Sequence, residues 1–208
     1  MSKALLIVDV QKDFCAGGTL ATERGAEVAA LISEYLENHH QDYQAIAATQ
    51  DWHISPGDHF SDQPDFKDSW PVHCQAETPG AELHEDLDTD YIQAYFRKGA
   101  YEAAYSGFEG LLAPEDSVMT GEREAGAPAV EESPKVSLDD WLAQQGIEDV
   151  DVVGIASDYC VKATALDAVE AGYETRVLLD LTAPVHEDSL EDLVDELEDA
   201  GVTVAEVL

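Results

Sequence analysis

Positive charge is scarce in this chain: ten Lys and Arg residues stand against 45 Asp and Glu, a formal net charge of -35 over 208 residues. Cysteine is scarce too. Cys15, Cys74 and Cys160 are odd in number and widely spaced, which excludes a complete disulfide framework and suits free thiols in a reducing compartment. No apolar run reaches membrane-spanning length, and the run in MSKALLIVDV is too short for a signal h-region and has no small-residue cleavage site behind it. These shortages predict a soluble, cytoplasmic protein with no membrane association and no nucleic-acid partner.

What is present is enough apolar residue, 45% of the chain, for one domain spanning 1–208 with a single sizeable core. The hydrophobic periodicity persists among the acids, so disorder does not explain the charge. Self-repulsion of this size destabilises the compact state in dilute buffer, but molar salt shrinks the Debye length to roughly 3 Å and screens most of it. In HEDSLEDLVDELEDAG, Leu190, Leu193, Val194 and Leu197 form one helical stripe and the opposite face carries acids without a single Lys or Arg. A surface binding a basic partner would gather its acids in one patch. Here they are spread along the chain, which favours adaptation to a salt-rich (halophilic) setting.

Short β-branched runs alternate with helical patterns, predicting an α/β fold: a three-layer αβα arrangement around a six-stranded, mostly parallel, doubly wound sheet. The strands are read at 4–10, 44–50, 91–98, 150–156, 175–181 and 202–207. Helices are read in GAEVAALISEYLENHH, SLDDWLAQQG, SDYCVKATALDAVEAG and the acidic segment above, with Ser157 or Asp158 as N-cap of the third and Gly172 at its C-terminal end. Two stretches fit no element. Residues 52 to about 80 are rich in Pro, His and Asp and read as functional, whereas about 113–136 reads as an acidic surface insertion.

Ligands of open α/β sheets bind at the carboxyl ends of the strands, near the point where strand order reverses. Asp9 lies at the end of the first run, Asp51 ends the second, Lys98 ends the third and Cys160 follows the fourth. Singly, each has a bland reading: a turn cap, a solvated lysine, a packed thiol. Together they supply acid/base, cation and nucleophile on one rim. Cys160 in a first helical turn would feel the positive end of the helix dipole, which favours the thiolate, and a carboxylate such as Asp9 could take the thiol proton. Lys98 is one of only six lysines, so solubility is a poor reason for placing it beside an apolar strand.

A second constellation lies in DWHISPGDHF and SWPVHC. Asp51, His53, His59 and His73 form a mixed N/O donor set that suits one divalent transition metal ion, Zn, Fe or Mn. His84 is a rival on spacing alone, while His39, His40 and His186 are read as structural. Water-facing histidines in a polar loop are the competing reading.

The motifs IVDVQKDFCAGGTLA, DWHISPGDHF, SWPVHC, TPGAELH, FRKGAYEAAYSGFEG and DVVGIASDYCVKATALDA together resemble the nicotinamidase/pyrazinamidase family of isochorismatase-like cysteine hydrolases. The resemblance spans nearly the whole chain and leaves out the stretch at about 113–136. It implies a catalytic triad of Asp9, Lys98 and Cys160, and a metal held by Asp51, His53, His59 and His73 that keeps bound water and faces the pyridine nitrogen of the substrate, nicotinamide. It further implies a cis peptide between Ile155 and Ala156, an oxyanion hole from the backbone N–H groups of Ala156 and Cys160, and a substrate pocket involving Phe14, Trp70, Tyr105 and Ile155. Tyr159 stands where some relatives have His. Three other readings stay open: a ureido or carbamoyl amidase of the same superfamily, an isochorismatase-type vinyl-ether hydrolase, and a non-catalytic binding protein on the same fold. Homo-oligomerisation is also open.

Overall fold

The computed structural model describes residues 2–113 and 135–207. The expected insertion therefore falls almost wholly outside the described residues. Seven strands form one sheet: β1 (Lys3–Val8), β2 (Ala45–Asp51), β3 (Ala94–Lys98), β4 (Leu111–Leu112), β5 (Asp149–Ile155), β6 (Glu174–Ala183) and β7 (Thr203–Ala205). Their order is β4-β3-β2-β1-β5-β6-β7, all pairings parallel except β3 with β4. The six expected parallel strands are present, and the sheet gains β4, a two-residue antiparallel edge too short to leave a pattern. The third expected strand starts at Ala94 instead of Tyr91, because Thr89 to Gln93 form a turn that buries Ile92 before pairing begins.

Period-two alternation divides the core. Leu5 and Ile7 of β1 face α1 (Gly25–His39) through Val28, Ile32 and Leu36, whereas Ala4, Leu6 and Val8 face α2 (Leu138–Gln145), α3 (Lys162–Ala171) and α4 (Leu190–Asp199). Two cores sandwich the sheet, giving the expected three layers. The acidic helix packs as its stripe predicted, with Leu193 and Leu197 buried and its acids outward.

The chain passes outward from β1 through β2 and β3, then returns to place β5 on the other side of β1. That reversal is the switch point where a parallel α/β sheet opens a crevice. β5 can approach β1 this closely because residue 154 is Gly: a Cβ there would meet the Val8 carbonyl oxygen at 2.1 Å, and its φ is +117°. The approach brings the chain leaving β5 alongside Asp9.

The entry to α3 departs from expectation. Ala156, not Ser157 or Asp158, is the capping residue, and Ser157–Val161 form a wide turn in which Val161 N–H donates to the Ala156 carbonyl at 2.9 Å. Ser157 instead donates to Thr182 at 2.7 Å, and the Asp158 carboxylate accepts from the N–H groups of Val185 and His186, both at 2.9 Å. Gly172 ends α3 in the left-handed conformation, as read.

Candidate active site

Four strand ends deliver four side chains to the switch point. Asp9 follows β1 in a left-handed conformation (φ 48°), which turns its carboxylate under the rim. Asp51 and Lys98 are the last residues of β2 and β3 and pair directly in register, and Cys160 lies in the turn after β5. All four are buried. Lys98 Nζ sits at their centre, 2.9 Å from Asp9 Oδ2, 2.5 Å from Asp51 Oδ1 and 3.7 Å from Cys160 Sγ, and it donates to the Ala104 carbonyl at 3.1 Å. The other Asp9 oxygen, Oδ1, accepts from Thr49 Oγ1 at 2.7 Å. Oδ2 is thereby left to face the lysine and the thiol.

The electrostatics assign distinct states to these groups. Burial alone would raise the Asp51 carboxyl, but Lys98, helped by His53, outweighs it and holds that carboxyl well below the ordinary range. For Asp9 burial wins: despite Lys98, its carboxyl is raised above the usual aspartate value. Two carboxylates hold Lys98 as a cation despite its burial. Cys160 overturns the expected helix-dipole effect, because burial, seconded by Asp9 and Asp51, pushes its thiol well up against the opposing pull of Lys98. The resting sulfur is a thiol beside a carboxylate of raised pKa. Such a nucleophile needs a base, and Asp9 is placed to be one.

The metal loop converges on the other side of Asp51. The ring nitrogens of His53, His59 and His73 offer donor atoms within 4.8 Å of one another. Asp51 Oδ2 lies 3.6 Å from His53 Nε2 and 3.9 Å from His73 Nε2, too long for hydrogen bonds and close to the roughly 3.4 Å between donors around a tetrahedral ion. His53 Nδ1 is 2.6 Å from the Gly99 carbonyl and His73 Nδ1 is 2.8 Å from the Pro71 carbonyl, so each ring turns its Nε2 inward. Gly99 is required there: a Cβ would meet the His53 ring at 2.6 Å.

His53 Nε2 and His59 Nδ1 are buried without a hydrogen-bond partner among the described residues. Burial, then the neighbouring imidazoles, lowers His59 to about 4, and burial lowers His73 as well, so both are neutral imidazoles near neutral pH. Orphaned buried nitrogens, neutral rings and a carboxylate fit one divalent transition metal. His84 is elsewhere, accepting from Asp86 N–H at 3.2 Å.

Between the two clusters lies a small pocket lined by Phe14, Asp51, His59, His73, Trp70, Tyr105, Ala156, Tyr159 and Cys160, with Leu20 and Val185. Its aromatic walls beside the Cys160 thiol suit a flat ring with a small substituent. Trp70 Nε1 donates to Tyr105 Oη at 3.1 Å, which fixes two walls, and the Tyr159 ring meets Trp70 edge-on at 5.0 Å. The Ile155–Ala156 peptide is cis, as expected. Ile155 does not line the cavity; its side chain is wholly buried in the core. Thr49, Leu20 and Val185 were not singled out by their types, since an ordinary Thr, Leu or Val carries no mark of its partner across the sheet, and Tyr159 was noted beside Cys160 but not as a wall of the pocket.

The Isochorismatase domain model matches residues 3–115 and 135–207. The chain is 50% identical over 200 residues to a nicotinamidase/pyrazinamidase of Mycobacterium tuberculosis, covering 96% of each chain. Two solved structures are similar throughout. The L. infantum protein in complex with nicotinate is 32% identical with a TM-score of 0.78, over 99% of this chain and 92% of that one. The pyrazinamidase of Pyrococcus horikoshii in complex with zinc is 30% identical with a TM-score of 0.75, over the full length of both.

Proposed function

The chain belongs to the isochorismatase family, and from that premise we propose that it hydrolyses nicotinamide to nicotinate and ammonia, and pyrazinamide to pyrazinoate, in recycling of the nicotinamide cofactor. One observation carries this reading. The buried Cys160 thiol, backed by a carboxylate of raised pKa and a lysine 3.7 Å from the sulfur, lines an aromatic-walled pocket that His59 and His73 line as well.

In this mechanism the aromatic walls hold the ring so that the carboxamide carbon lies over Cys160. Asp9 takes the thiol proton as sulfur attacks, with Lys98 holding the carboxylate in place. The oxygen that gains charge accepts hydrogen bonds from the backbone N–H groups of Ala156 and Cys160. Protonated Asp9 gives its proton to the leaving nitrogen, the C–N bond breaks, and ammonia departs from a thioester. Asp9 then takes a proton from water, whose oxygen attacks the same carbon. Breaking the C–S bond, with the Asp9 proton returned to sulfur, restores the thiol and releases nicotinic acid, which ionises to nicotinate.

Asp51, His53, His59 and His73 would hold one Zn, Fe or Mn ion, which when bound supplies a Lewis-acid contact for a ring nitrogen. A ureido or carbamoyl substrate has no use for such a contact, which ranks that alternative lower. A non-catalytic role leaves the matched thiol and base unexplained. The test is ammonia release at matched concentrations of nicotinamide, pyrazinamide and N-carbamoyl amino acids. Turnover of the two ring carboxamides is expected; turnover confined to the ureido compounds would sink the reading.

The setting belongs to the same proposal. No helix among the described residues is long and apolar enough to cross a membrane, and the three cysteines are free, which supports a reducing cytoplasm. The net charge of -35 supports a salt-rich one.

A further inference from the structure

The β2 strand is paired on both sides only along part of its length. On the β1 side the register runs from Ala4↔Ala45 to Ile7↔Ala48, and β1 ends at Val8, so no strand remains beside Asp51. On the other side Asp51 still pairs with Lys98 of β3. Asp51 therefore presents a buried N–H and C=O toward a gap in the sheet.

The side chain of Gln11 fills that gap. Gln11 is wholly buried, its Oε1 accepts from Asp51 N–H at 2.8 Å, and its Nε2 donates to the Asp51 carbonyl at 2.8 Å. The second Nε2 proton goes to the Ala81 carbonyl at 2.9 Å. The carboxamide thus takes the place of the peptide unit that a longer β1 would have offered, and all its hydrogen-bonding groups but one acceptor lone pair are used.

What it holds is the residue shared by both clusters. Asp51 Oδ1 meets Lys98 and Oδ2 faces the imidazoles of His53 and His73, so a rotation or shift of the Asp51 backbone disturbs both at once. We propose that Gln11 is a positioning residue that couples the metal-ligand loop to the lysine–carboxylate–thiol cluster by fixing the backbone of Asp51. This rests on the metal-binding reading above but not on the identity of the substrate.

The experiment measures Zn²⁺ affinity by competition with a chromophoric chelator, using Gln11→Met, Gln11→Glu and, as control, Gln50→Met. Gln50 is also buried and donates to the same Ala81 carbonyl at 3.1 Å, but no hydrogen bond joins its side chain to Asp51. Gln11→Met is expected to weaken Zn²⁺ binding by about 10- to 100-fold, the range typical of groups that orient a ligand. Its kcat/KM on nicotinamide should fall with it, while Gln50→Met stays within about twofold of wild type in Zn²⁺ affinity. Gln11→Glu keeps the acceptor for Asp51 N–H, so it provides the comparison if the Met variant does not fold, and it is also expected to weaken binding. Folded Gln11 variants with wild-type Zn²⁺ affinity, or equal losses in the Gln50 control, would overturn the proposal. If Zn²⁺ affinity falls as stated while wild type leaves nicotinamide untouched, the positioning role stands and the substrate assignment fails.

Discussion

Replacing Lys98 by Met removes the one cation from a site that holds two carboxyls. Nζ lies 2.9 Å from Asp9 Oδ2 and 2.5 Å from Asp51 Oδ1, and no part of the Lys98 side chain is exposed. Met has nearly the same length, so the main loss is charge and not volume. Breaking a buried ion pair from one side costs about 3–5 kcal/mol. That is a large part of a total stability on the order of 5–15 kcal/mol. At about 2–4 °C per kcal/mol for a chain of this length, the midpoint should drop by about 6–20 °C.

The pH dependence distinguishes this cause from a packing defect. In wild type the folded pKa of Asp51 is depressed, so its contribution is present above the unfolded value and is lost only as pH falls through the folded one. Without Lys98 both carboxyls bind a proton more readily in the folded than in the unfolded chain, so from roughly pH 4 upward the variant loses stability as pH rises. The gap between wild type and variant should be widest near pH 8, narrow as pH falls, and close only below roughly pH 4, where Asp51 of the wild type also takes up its proton. Urea unfolding of chelator-treated proteins followed by circular dichroism measures it. A gap below about 1 kcal/mol, or one independent of pH, would refute the reasoning.

Three further outcomes are expected. The acid limb of kcat/KM should lie above the ordinary aspartate pKa of 3.8, because burial raises the Asp9 carboxyl and activity requires its deprotonated form; a half-point below that value would remove Asp9 from the base role. Thermal midpoints should rise on going from dilute buffer to molar KCl, since a net charge of -35 repels itself until screened, and a flat or falling profile rejects salt adaptation. Asp158→Ala frees the N–H groups of Val185 and His186, each held at 2.9 Å, and should loosen the Val185 wall so that KM rises several-fold with kcat largely kept; a fall in kcat alone would contradict that role.

Strand ends proved the most legible part of the site. Buried parallel strands read as apolar runs, unbroken from Ala4 to Val8 in β1 and interrupted by Asp151 in β5, so the residues that terminate them, Asp9 and the turn carrying Cys160, could be placed on one rim by topology alone. The imidazoles were legible as candidate donors from their clustering with Asp51, and it is their burial that sets aside the water-facing reading. The direct ion pair of Asp51 with Lys98 was not, since it depends on the register that sets the two residues opposite each other. Nor was the clamp by Gln11, whose partner lies across a gap that only the early end of β1 creates. The downward pull of the helix dipole on the Cys160 thiol is outweighed for a related reason: a dipole is local and visible in sequence, whereas the burial and two nearby carboxylates that raise the thiol are assembled from other strands.

In the proposed mechanism Cys160 performs a covalent amide hydrolysis in a pocket completed by a metal-binding wall. Ammonia release from nicotinamide, measured in molar KCl for wild type, Cys160→Ala and chelator-treated wild type, tests it most directly. Turnover in wild type is predicted to fall by about 10³-fold or more in Cys160→Ala, which should still bind Zn²⁺, and to be lost on chelation and restored by added metal. Turnover retained in Cys160→Ala would contradict the covalent mechanism.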